Sequence, residues 1–342
     1  MNPTKHILVI RFSDIGDGAI AVPVLRCVLQ QNKNIKITVA TKSFLKPVFE
    51  TVKGINVVTA DIREKHQGLK GLLKFYSEIK NNGYTEIADL HGSLRSNVIK
   101  SLFKLKGVSS KTIDKGRTDK RNLVSGKEFK PLKTTLERYA DVFRALGCQV
   151  DLSKDIFPEK LNLPSKIHDL LGKDTKKWIG IAPFAFFDTK MYPIDLMERV
   201  IDYLSKSNNY KIILFGGPKD ETELKRLTST YPNTIFTFKK ISFEEELQLI
   251  AHLDLMISMD SGNGHLASMF GVKTITLWGV THPYAGFYPY KQPESSALLS
   301  DKEKYPLIPT SIYGNKAPED YKDVMRTILP EQVISKIEEV LS

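Results

Sequence analysis

The sequence predicts an α/β protein made of two successive parallel-sheet units, and three observations support this prediction. Short apolar runs alternate with amphipathic stretches along the 342 residues. The runs are rich in strand formers and bounded by polar or glycine residues, as parallel strands covered on both faces are. The second half of the chain repeats the pattern of the first. Strands that alternate with helices predict parallel sheets with crossover helices.

Nine strands follow from these runs. In the first half they are Ile7–Phe12, Ile35–Ala40, Ile55–Thr59 and Glu86–Leu90. In the second half they are Trp178–Ala182, Lys211–Phe215, Ile235–Phe238, Leu255–Met259 and Thr274–Trp278. Helices are expected between them, including Ala19–Gln30, Ile194–Leu204 and an amphipathic Ile241–Asp254 whose Glu244, Glu245 and Glu246 form an exposed first turn.

The boundary between the two units is expected between Gly147 and Pro164, in a mixed polar stretch. We therefore predict domains at 1–155 and 156–329, followed by a C-terminal helix at 330–342 that begins with a favourable proline. The segment Ser300–Tyr321 holds several Pro and Gly residues and is predicted to be a surface loop.

Composition is that of a globular protein, with 41% hydrophobic and 26% charged residues. No apolar stretch approaches the roughly 20 residues that span a bilayer. Residues Met1–His6 lead into a strand without a signal-peptide pattern, so a cytoplasmic location is expected. Cys27 and Cys148 are too few for a disulfide framework and are expected to be reduced and buried.

The excess of basic over acidic residues lies entirely in the first half of the chain. The net charge is +11, and residues 1–150 carry 27 basic and 13 acidic side chains, whereas residues 151–342 carry 23 and 26. A field of this kind attracts anionic lipid, phosphorylated glycan or nucleic acid, although a solvated lysine-rich face would look the same. The basic residues are not interleaved with stacking aromatic residues, which disfavours a nucleic-acid partner.

The segment Ser258–Pro283 carries the most specific signal. Asp260 follows a buried strand, and Ser261, Gly262, Asn263 and Gly264 are cap and turn residues before a short helix, His265–Phe270. Backbone N–H groups and the helix dipole would point at whatever lies beyond the strand end. An ordinary capped strand-to-helix connection is the alternative for the D-S-G triplet taken alone.

The longer run through Trp278-Gly-Val-Thr-His-Pro283 resembles the donor-site signature of glycosyltransferase family 9, the lipopolysaccharide heptosyltransferases. The spacing fits without a gap, with Lys273 in place of the usual Pro and Trp278 in place of the usual Phe. The resemblance implies the GT-B architecture, in which two Rossmann-like domains face a central cleft. It also implies that the basic first domain, 1–155, binds the acceptor and that the second domain, 156–329, binds the nucleotide-sugar donor. The implied donor site includes Asp260, Ser261, Gly262 and His265.

The segment after the first strand, Arg11–Gly18, matches the family's amino-terminal loop at Ser13, Gly16 and Asp17. The resemblance implies Asp17 as catalytic base, with Ser13 and Gly16 among the acceptor-binding residues. An acceptor hydroxyl must lose a proton as it attacks, and a carboxylate can accept it. Asp14 is the rival on position alone.

Two further segments of the second half resemble the family. Lys190, before Tyr192-Pro193, matches a lysine that binds the donor phosphate, where one ammonium can stabilise the charge of a departing diphosphate. Asp220, preferred weakly over Glu221, would bind the nucleotide ribose, although helix first turns favour acids anyway. In the first half, Asp89–Ser96 matches with His91 in place of Gln. Arg95 there, together with Arg117 of the basic region, is assigned to acceptor binding; a structural pairing with a nearby acid is the alternative for Arg95.

Together these features predict an inverting, metal-independent glycosyltransferase that needs no cofactor. The family resemblance implies ADP-heptose as the donor and an anionic inner-core saccharide on lipid A, at the inner face of the cytoplasmic membrane, as the acceptor. Peripheral membrane association is compatible with this acceptor. The chain has no Asp-x-Asp pair and no histidine cluster with ligand spacing. The alternatives are a GT-B enzyme that uses another nucleotide sugar, for transfer or epimerisation, and a non-catalytic basic binding protein.

Overall fold

Two separate parallel sheets form the frame of the protein in a computed structural model, which describes residues 5–172 and 174–342. The first sheet has the strand order β3-β2-β1-β4-β5. Its members are β1 (Lys5–Ile10), β2 (Ile35–Thr41), β3 (Ile55–Thr59), β4 (Glu86–Asp89) and β5 (Ser109–Thr112). Because Ile10 lies opposite both Ala40 and Asp89, the residues that follow β1 and β4 emerge at the same carboxyl edge.

The second sheet has the order β11-β10-β9-β6-β7-β8. Its members are β6 (Lys177–Ala182), β7 (Tyr210–Leu214), β8 (Thr234–Phe236), β9 (Leu255–Met259), β10 (Lys273–Trp278) and β11 (Ala297–Leu299). Ala182 lies opposite Ser258, and Met259 lies opposite Leu277. The loops after β6, β9 and β10 therefore leave the sheet side by side.

Crossover helices cover the sheets, as the alternating pattern predicts. In chain order they are α1 (Ile15–Gln31), α2 (Lys46–Glu50), α3 (Gly68–Ile79), α4 (Leu94–Lys104), α5 (Arg117–Val124), α6 (Thr135–Ala145), α7 (Ser165–Leu171), α8 (Ile194–Lys206), α9 (Glu221–Thr230), α10 (Phe243–Ile250), α11 (Gly262–Met269) and α12 (Pro330–Leu341). None of the helices within the described ranges is long and apolar enough to cross a bilayer.

The chain divides into two compact units that are not simply successive. Unit 1 comprises residues 1–116 and 133–158, and unit 2 comprises residues 117–132 and 159–342. Residues 117–132, which include α5, therefore belong with the second sheet although they interrupt the first unit in sequence. Leu123 and Leu132 pack with Ala285, and the Leu132 N–H donates to the Tyr284 carbonyl at 2.9 Å. A single cut in the chain does not describe this arrangement, and the binding roles given to the predicted domains stay predictions.

Each unit has its own apolar core. In unit 1 the buried side chains of β1 and β4 pack with Leu72 and Phe75 of α3 and with Ile99 and Phe103 of α4. In unit 2 the central strands pack with α8 and α9, and Val333, Ile337 and Leu341 of α12 join the same core. The α/β prediction is confirmed, and the predicted helix at 330 is an integral part of the second unit. Cys27 and Cys148 are buried thiols, and neither is joined in a disulfide, as expected.

The nine predicted strands are all present, and the two that were missed are edge strands. β5 is Ser109-Ser-Lys-Thr112, fully exposed and without an apolar residue, so it offers no hydrophobic signal. β11 has three residues, too few to show a pattern. The other two edge strands, β3 and β8, contain apolar residues and were located, so the composition of β5 and the length of β11 explain why these two were missed.

Three local predictions need correction. Gly16 and Asp17 lie in the first turn of α1, which begins at Ile15 rather than at Ala19. The segment Ser300–Tyr321 is not a simple surface loop, because Tyr305, Ile308 and Tyr321 belong to the core of unit 2. Of the three glutamates in the first turn of α10, Glu244 is exposed but Glu246 is partly buried and accepts a hydrogen bond from Thr237 at 2.7 Å. Residues 1–4, which belong to the Met1–His6 stretch without a signal-peptide pattern, lie outside the described residues.

Candidate active site

Asp17 is held by two side chains of unit 1 that come from different elements. Arg11 directly follows β1 and is 6% exposed; its Nη2 contacts Asp17 Oδ2, and its Nη1 donates to the Leu90 carbonyl at 2.7 Å. The hydroxyl of Tyr139, from α6, donates to the other carboxylate oxygen of Asp17 at 3.4 Å. The Asp17 side chain nevertheless keeps 29% of its surface exposed. It is therefore oriented from within the unit and still accessible from outside.

Asp14 differs from Asp17 in its surroundings. It occupies the N-cap position of α1, is exposed, and makes no capping hydrogen bond with its side chain. A carboxylate that is free to rotate is a poorer general base than one with a fixed direction, because proton transfer requires a defined geometry. The contacts fix the direction of the Asp17 carboxylate but not that of Asp14, and the choice of base stays a prediction. Ser13 is partly buried just before α1, and Gly16 is partly buried in its first turn.

A second group of polar residues lies at the end of β4. Asp89 is fully buried; its Oδ1 accepts the N–H groups of His91 at 3.0 Å and Gly92 at 2.8 Å, and its Oδ2 lies 2.8 Å from Lys100 Nζ. Burial, with help from the charges of Arg11 and Lys115, lowers the pKa of His91 to about 4. His91 is therefore neutral at physiological pH, like the glutamine that it replaces in the family pattern.

Arg95 presents an exposed cation at the start of α4. Ser93 and Ser96 cap this helix reciprocally, with Ser96 N–H donating to Ser93 Oγ at 3.3 Å and Ser93 N–H to Ser96 Oγ at 2.8 Å. Arg95 itself forms no ion pair among residues 5–172 and 174–342. A structural pairing with a nearby acid, the alternative considered above, is thus not formed. Arg117 is also exposed, but it opens α5 and belongs to unit 2, whereas Ser13, Gly16 and Arg95 belong to unit 1.

In unit 2, three strand ends bring Lys190, Asp260 and Thr281 together. Lys190 follows β6, Asp260 directly follows β9, and Thr281 follows β10. Lys190 Nζ lies 3.0 Å from Asp260 Oδ2, and Thr281 Oγ1 donates to the same oxygen at 2.9 Å. The side chains of Lys190 and Asp260 are only 13% and 9% exposed. This is the usual ligand position of an open parallel sheet, outside the carboxyl ends of the strands.

The start of α11 lies next to this cluster. Ser261 is its N-cap residue, but the side chain makes no capping hydrogen bond, and its buried Oγ has no hydrogen-bond partner within the described residues. Gly262 opens the helix. A side chain at Gly264 would meet Ser258 Oγ at 2.6 Å, so glycine lets the helix pack close to β9. His265 is 7% exposed in the same turn. Free N–H groups at a helix start, an unpaired hydroxyl and an ammonium together form a site suited to a phosphate group.

Asp220 and Glu221 have different roles after β7. Asp220 Oδ2 accepts the Gly217 N–H at 2.7 Å and closes the turn that follows the strand. Glu221 pairs with Lys225 at 2.9 Å and Lys239 at 2.6 Å on the helix surface, and these two lysines lower its pKa. Asp220 is therefore the carboxylate next to the strand end, and its hydrogen bond to Gly217 is the one expected of an acid at a helix start; its role toward a ribose stays a prediction.

Arg11, Tyr139 and Thr281 received no role from the sequence, although each contacts a candidate residue. A charged residue directly after the apolar run of β1 could have drawn attention to Arg11. Tyr139 and Thr281 carry no such signal, because their contacts depend on tertiary structure. Among residues 5–172 and 174–342, no three His, Cys, Asp or Glu side chains cluster with the geometry of a metal site.

A sequence profile of glycosyltransferase family 9 (heptosyltransferase) matches residues 72–308, more than half of the chain. The chain belongs to glycosyltransferase family 9. The match covers α3 to the loop after β11, and so includes Arg95, Arg117 and all the donor-site candidates. Asp17 lies before the matched region.

Individual relatives agree with this assignment. A lipooligosaccharide heptosyltransferase 2 of Campylobacter jejuni is 26% identical over 189 residues, which are 53% of this chain and 57% of that protein; the chain thus spans about half the length of this relative. The lipopolysaccharide core heptosyltransferase OpsX of Haemophilus influenzae is 21% identical over 93% of this chain and 87% of its own length. The structure of E. coli heptosyltransferase WaaC with ADP superposes with a TM-score of 0.68 at 18% identity, covering 98% of this chain and 99% of that one. The two parallel-sheet α/β units are those of the GT-B fold.

Proposed function

We propose that this protein transfers a heptose from ADP-heptose to an anionic inner-core saccharide of lipopolysaccharide, with inversion and without a metal ion. The observation that supports it most directly is the Lys190–Asp260–Thr281 cluster beside the uncapped start of α11. Family membership and a structural neighbour described with ADP support the same donor class.

The proposed donor site binds the diphosphate through Lys190, Ser261 and the first N–H groups of α11. When the bond between sugar and diphosphate breaks, negative charge accumulates on the leaving phosphate. An ammonium group and preorganised N–H donors stabilise that charge more in the transition state than in the ground state. The proposed chemistry thus assigns to Lys190 and the helix start the role that a divalent cation has in other transferases.

Asp260 has a supporting part in this proposal. Its Oδ2 accepts hydrogen bonds from both Lys190 and Thr281, which fixes the direction of the ammonium group. An ammonium has three N–H donors, so two remain for a ligand while one is bound to Asp260. His265 and Asp220 are proposed to contact the donor sugar and the ribose.

The proposed base is Asp17. It removes the proton from the attacking acceptor hydroxyl in a single displacement, in which one bond to the anomeric carbon forms as the bond to the diphosphate breaks. One direct displacement inverts the configuration at that carbon, and it needs one carboxylate rather than the nucleophile and acid of a retaining enzyme. Arg11 and Tyr139 hold Asp17 in a fixed orientation.

The acceptor is proposed to bind through the exposed cations of the first half, with Arg95, Ser13, Gly16 and Arg117 among its contacts. Exposed leucines lie beside exposed lysines on two helices of unit 1: Leu69 and Leu73 on α3, and Leu105 at the end of α4. Each exposed lysine near an anionic membrane contributes about 1 kcal/mol of attraction. We therefore propose peripheral association with an anionic bilayer, which sedimentation with vesicles containing phosphatidylglycerol would test against neutral vesicles.

A transfer assay with ADP-heptose and an inner-core lipid A acceptor that lacks heptose tests the proposed reaction. Asp17→Asn should lower kcat by about 10²- to 10⁴-fold, since general base catalysis contributes about that much, with little change in the donor KM. Asp14→Asn is the matched control, because it removes the same charge three residues away, and it should keep nearly full activity. Loss of activity in the Asp14 variant alone would assign the base to the rival residue, and no transfer by the wild type would refute the proposed substrates.

A further inference from the structure

The segment Ser311–Asn315 packs directly against the side chain of Lys190. A Cβ atom at Gly314 would lie 2.3 Å from Lys190 Cδ and 2.5 Å from Lys190 Cγ. These distances are far shorter than a van der Waals contact between carbon atoms, about 3.5–4.0 Å. The backbone of Gly314 therefore occupies the surface against which the aliphatic stem of Lys190 rests, and only glycine leaves room for it.

Hydrogen bonds hold Gly314 in this position. Thr189 Oγ1, from the residue before Lys190, donates to the Gly314 carbonyl. The N–H groups of Tyr313 and Gly314 donate to Ser311 Oγ at 3.2 and 3.0 Å, and Ser311 Oγ donates to Asn315 Oδ1 at 2.8 Å. Thr310 N–H donates to the Val280 carbonyl at 3.0 Å, which ties the segment to the loop after β10. Because it is attached at both sides, the segment cannot move aside easily to admit a larger residue.

The opposite side of the same turn is also closely packed. A Cβ atom at Gly279, directly after β10, would meet the Thr189 carbonyl oxygen at 2.7 Å. Thr189 and Lys190 thus lie between two glycines, one at the end of β10 and one in the Ser311–Asn315 segment. The far end of the Lys190 side chain is fixed by Asp260 at 3.0 Å.

We propose that Gly314 is a positioning residue for Lys190: it fixes the path of the lysine stem so that the ammonium group points at Asp260 and at the donor diphosphate. This inference rests on the proposed role of Lys190 in donor binding. The segment 300–321, which received no role from the sequence, thereby supports the donor site through Lys190.

Gly314→Ala has two effects that can be separated. The residue has φ +82°, a conformation that alanine adopts only with strain, and the new methyl group would displace Lys190 Cγ and Cδ. Gly126, in the same unit, has φ +72°, and a methyl group added there would have nothing within 4 Å, so Gly126→Ala imposes the backbone strain alone. Both variants should unfold at lower temperature than the wild type, but only Gly314→Ala should weaken ADP binding.

The experiment is a double-mutant cycle read by calorimetric titration with ADP. Lys190→Ala should weaken ADP binding by about 10- to 100-fold, as expected for the loss of a hydrogen bond to a charged group. Gly314→Ala should produce a loss of similar size. The double variant should bind no more weakly than Lys190→Ala, because without the lysine stem the new methyl group has nothing to displace.

The outcomes separate this inference from the proposed function. If Lys190→Ala weakens binding but Gly314→Ala does not, or if the two losses add in the double variant, the positioning role of Gly314 is refuted and the role of Lys190 stands. If Lys190→Ala binds ADP like the wild type, the proposed role of Lys190 is refuted, and the positioning role with it. Should Gly314→Ala fail to fold, Gly314→Asn replaces it, with Gly126→Asn as control, because asparagine tolerates positive φ and still brings the Cβ atom.

Discussion

Replacing Glu246 by glutamine should stabilise the protein at pH 8 and change its stability little near pH 4. Glu246 lies on α10, and its Oε2 accepts the hydroxyl of Thr237, a fully buried residue at the end of β8, at 2.7 Å. Burial raises the pKa of this carboxyl from 4.5 to about 7, and the hydrogen bond from Thr237 offsets only part of that effect. Glutamine keeps an oxygen that can accept the same hydrogen bond but carries no charge.

The magnitude follows from linkage between proton binding and folding. Between about pH 4.5 and pH 7 the folded protein retains a proton on Glu246 that the unfolded chain has released, so the free energy of unfolding falls as pH rises through this window. The shift of about 2.5 pKa units corresponds to about 3 kcal/mol above pH 7. Glu246 is only partly buried and solvent screens some of the charge, so we expect Glu246→Gln to gain about 1–3 kcal/mol at pH 8.

The assay is urea unfolding followed by circular dichroism at pH 4, 6 and 8 for the wild type, Glu246→Gln and Glu244→Gln. Glu244 lies on the same turn of α10 but is exposed, so its glutamine variant should match the wild type within the error at each pH. The gain from Glu246→Gln should grow from pH 4 to pH 8. A gain that does not depend on pH, or a loss of stability at pH 8, would show that burial does not raise the pKa of Glu246.

Three further predictions concern other polar contacts. Asp155→Asn should lower the free energy of unfolding by about 3 kcal/mol, because it leaves the buried guanidinium of Arg26 without its charged partner; a loss of about 0–1 kcal/mol in urea unfolding, typical of exposed pairs, would contradict this. His91→Gln should stabilise the protein by about 2 kcal/mol near pH 5 and not at pH 8. The pKa of His91 is lowered from 6.5 to about 4, so the wild type loses stability as pH falls from about 6.5 to about 4. Equal unfolding curves of variant and wild type at pH 5 would refute this prediction. Thr281→Val should raise the Kd for ADP about fivefold, since one hydrogen bond that fixes Asp260 is lost; calorimetry that finds an unchanged Kd would exclude such a role.

The sequence predicted the central strands because their buried positions require apolar residues on both faces. Leu255–Met259 is fully buried and was located to the residue, whereas the exposed β5, with its polar Ser109–Thr112, left no trace in the hydrophobic pattern. The excursion of 117–132 into unit 2 could not be predicted either. The membership of 117–132 in unit 2 depends on the packing of Leu123 and Leu132 against Ala285, which is a contact between distant parts of the chain.

In the candidate site, too, some residues could be predicted from the local sequence and others depend on tertiary contacts. Asp260 could be predicted, because it directly follows a strand in a parallel sheet and ligands bind at such strand ends. Lys190 was predicted from its match to the family motif, and its Nζ lies 3.0 Å from Asp260 Oδ2. The residues that orient them could not. Thr281 and Gly314 act through distances of a few ångströms to residues 21 and 124 positions away, and neither residue type is unusual in a loop. Positioning contacts of this kind leave no local pattern, whereas ligand-binding residues often stand in recognisable motifs.

The measurement that tests the central claim most directly is calorimetric titration of the wild type with ADP, UDP and GDP in the presence of EDTA, with Lys190→Ala and Asp260→Ala as comparison variants. The proposed function predicts that ADP binds in preference to UDP and GDP without a metal ion, and that both variants bind it more weakly. Preference for UDP or GDP would overturn the ADP-heptose donor. Absence of binding by all three nucleotides would contradict a nucleotide-sugar site at Lys190 and Asp260.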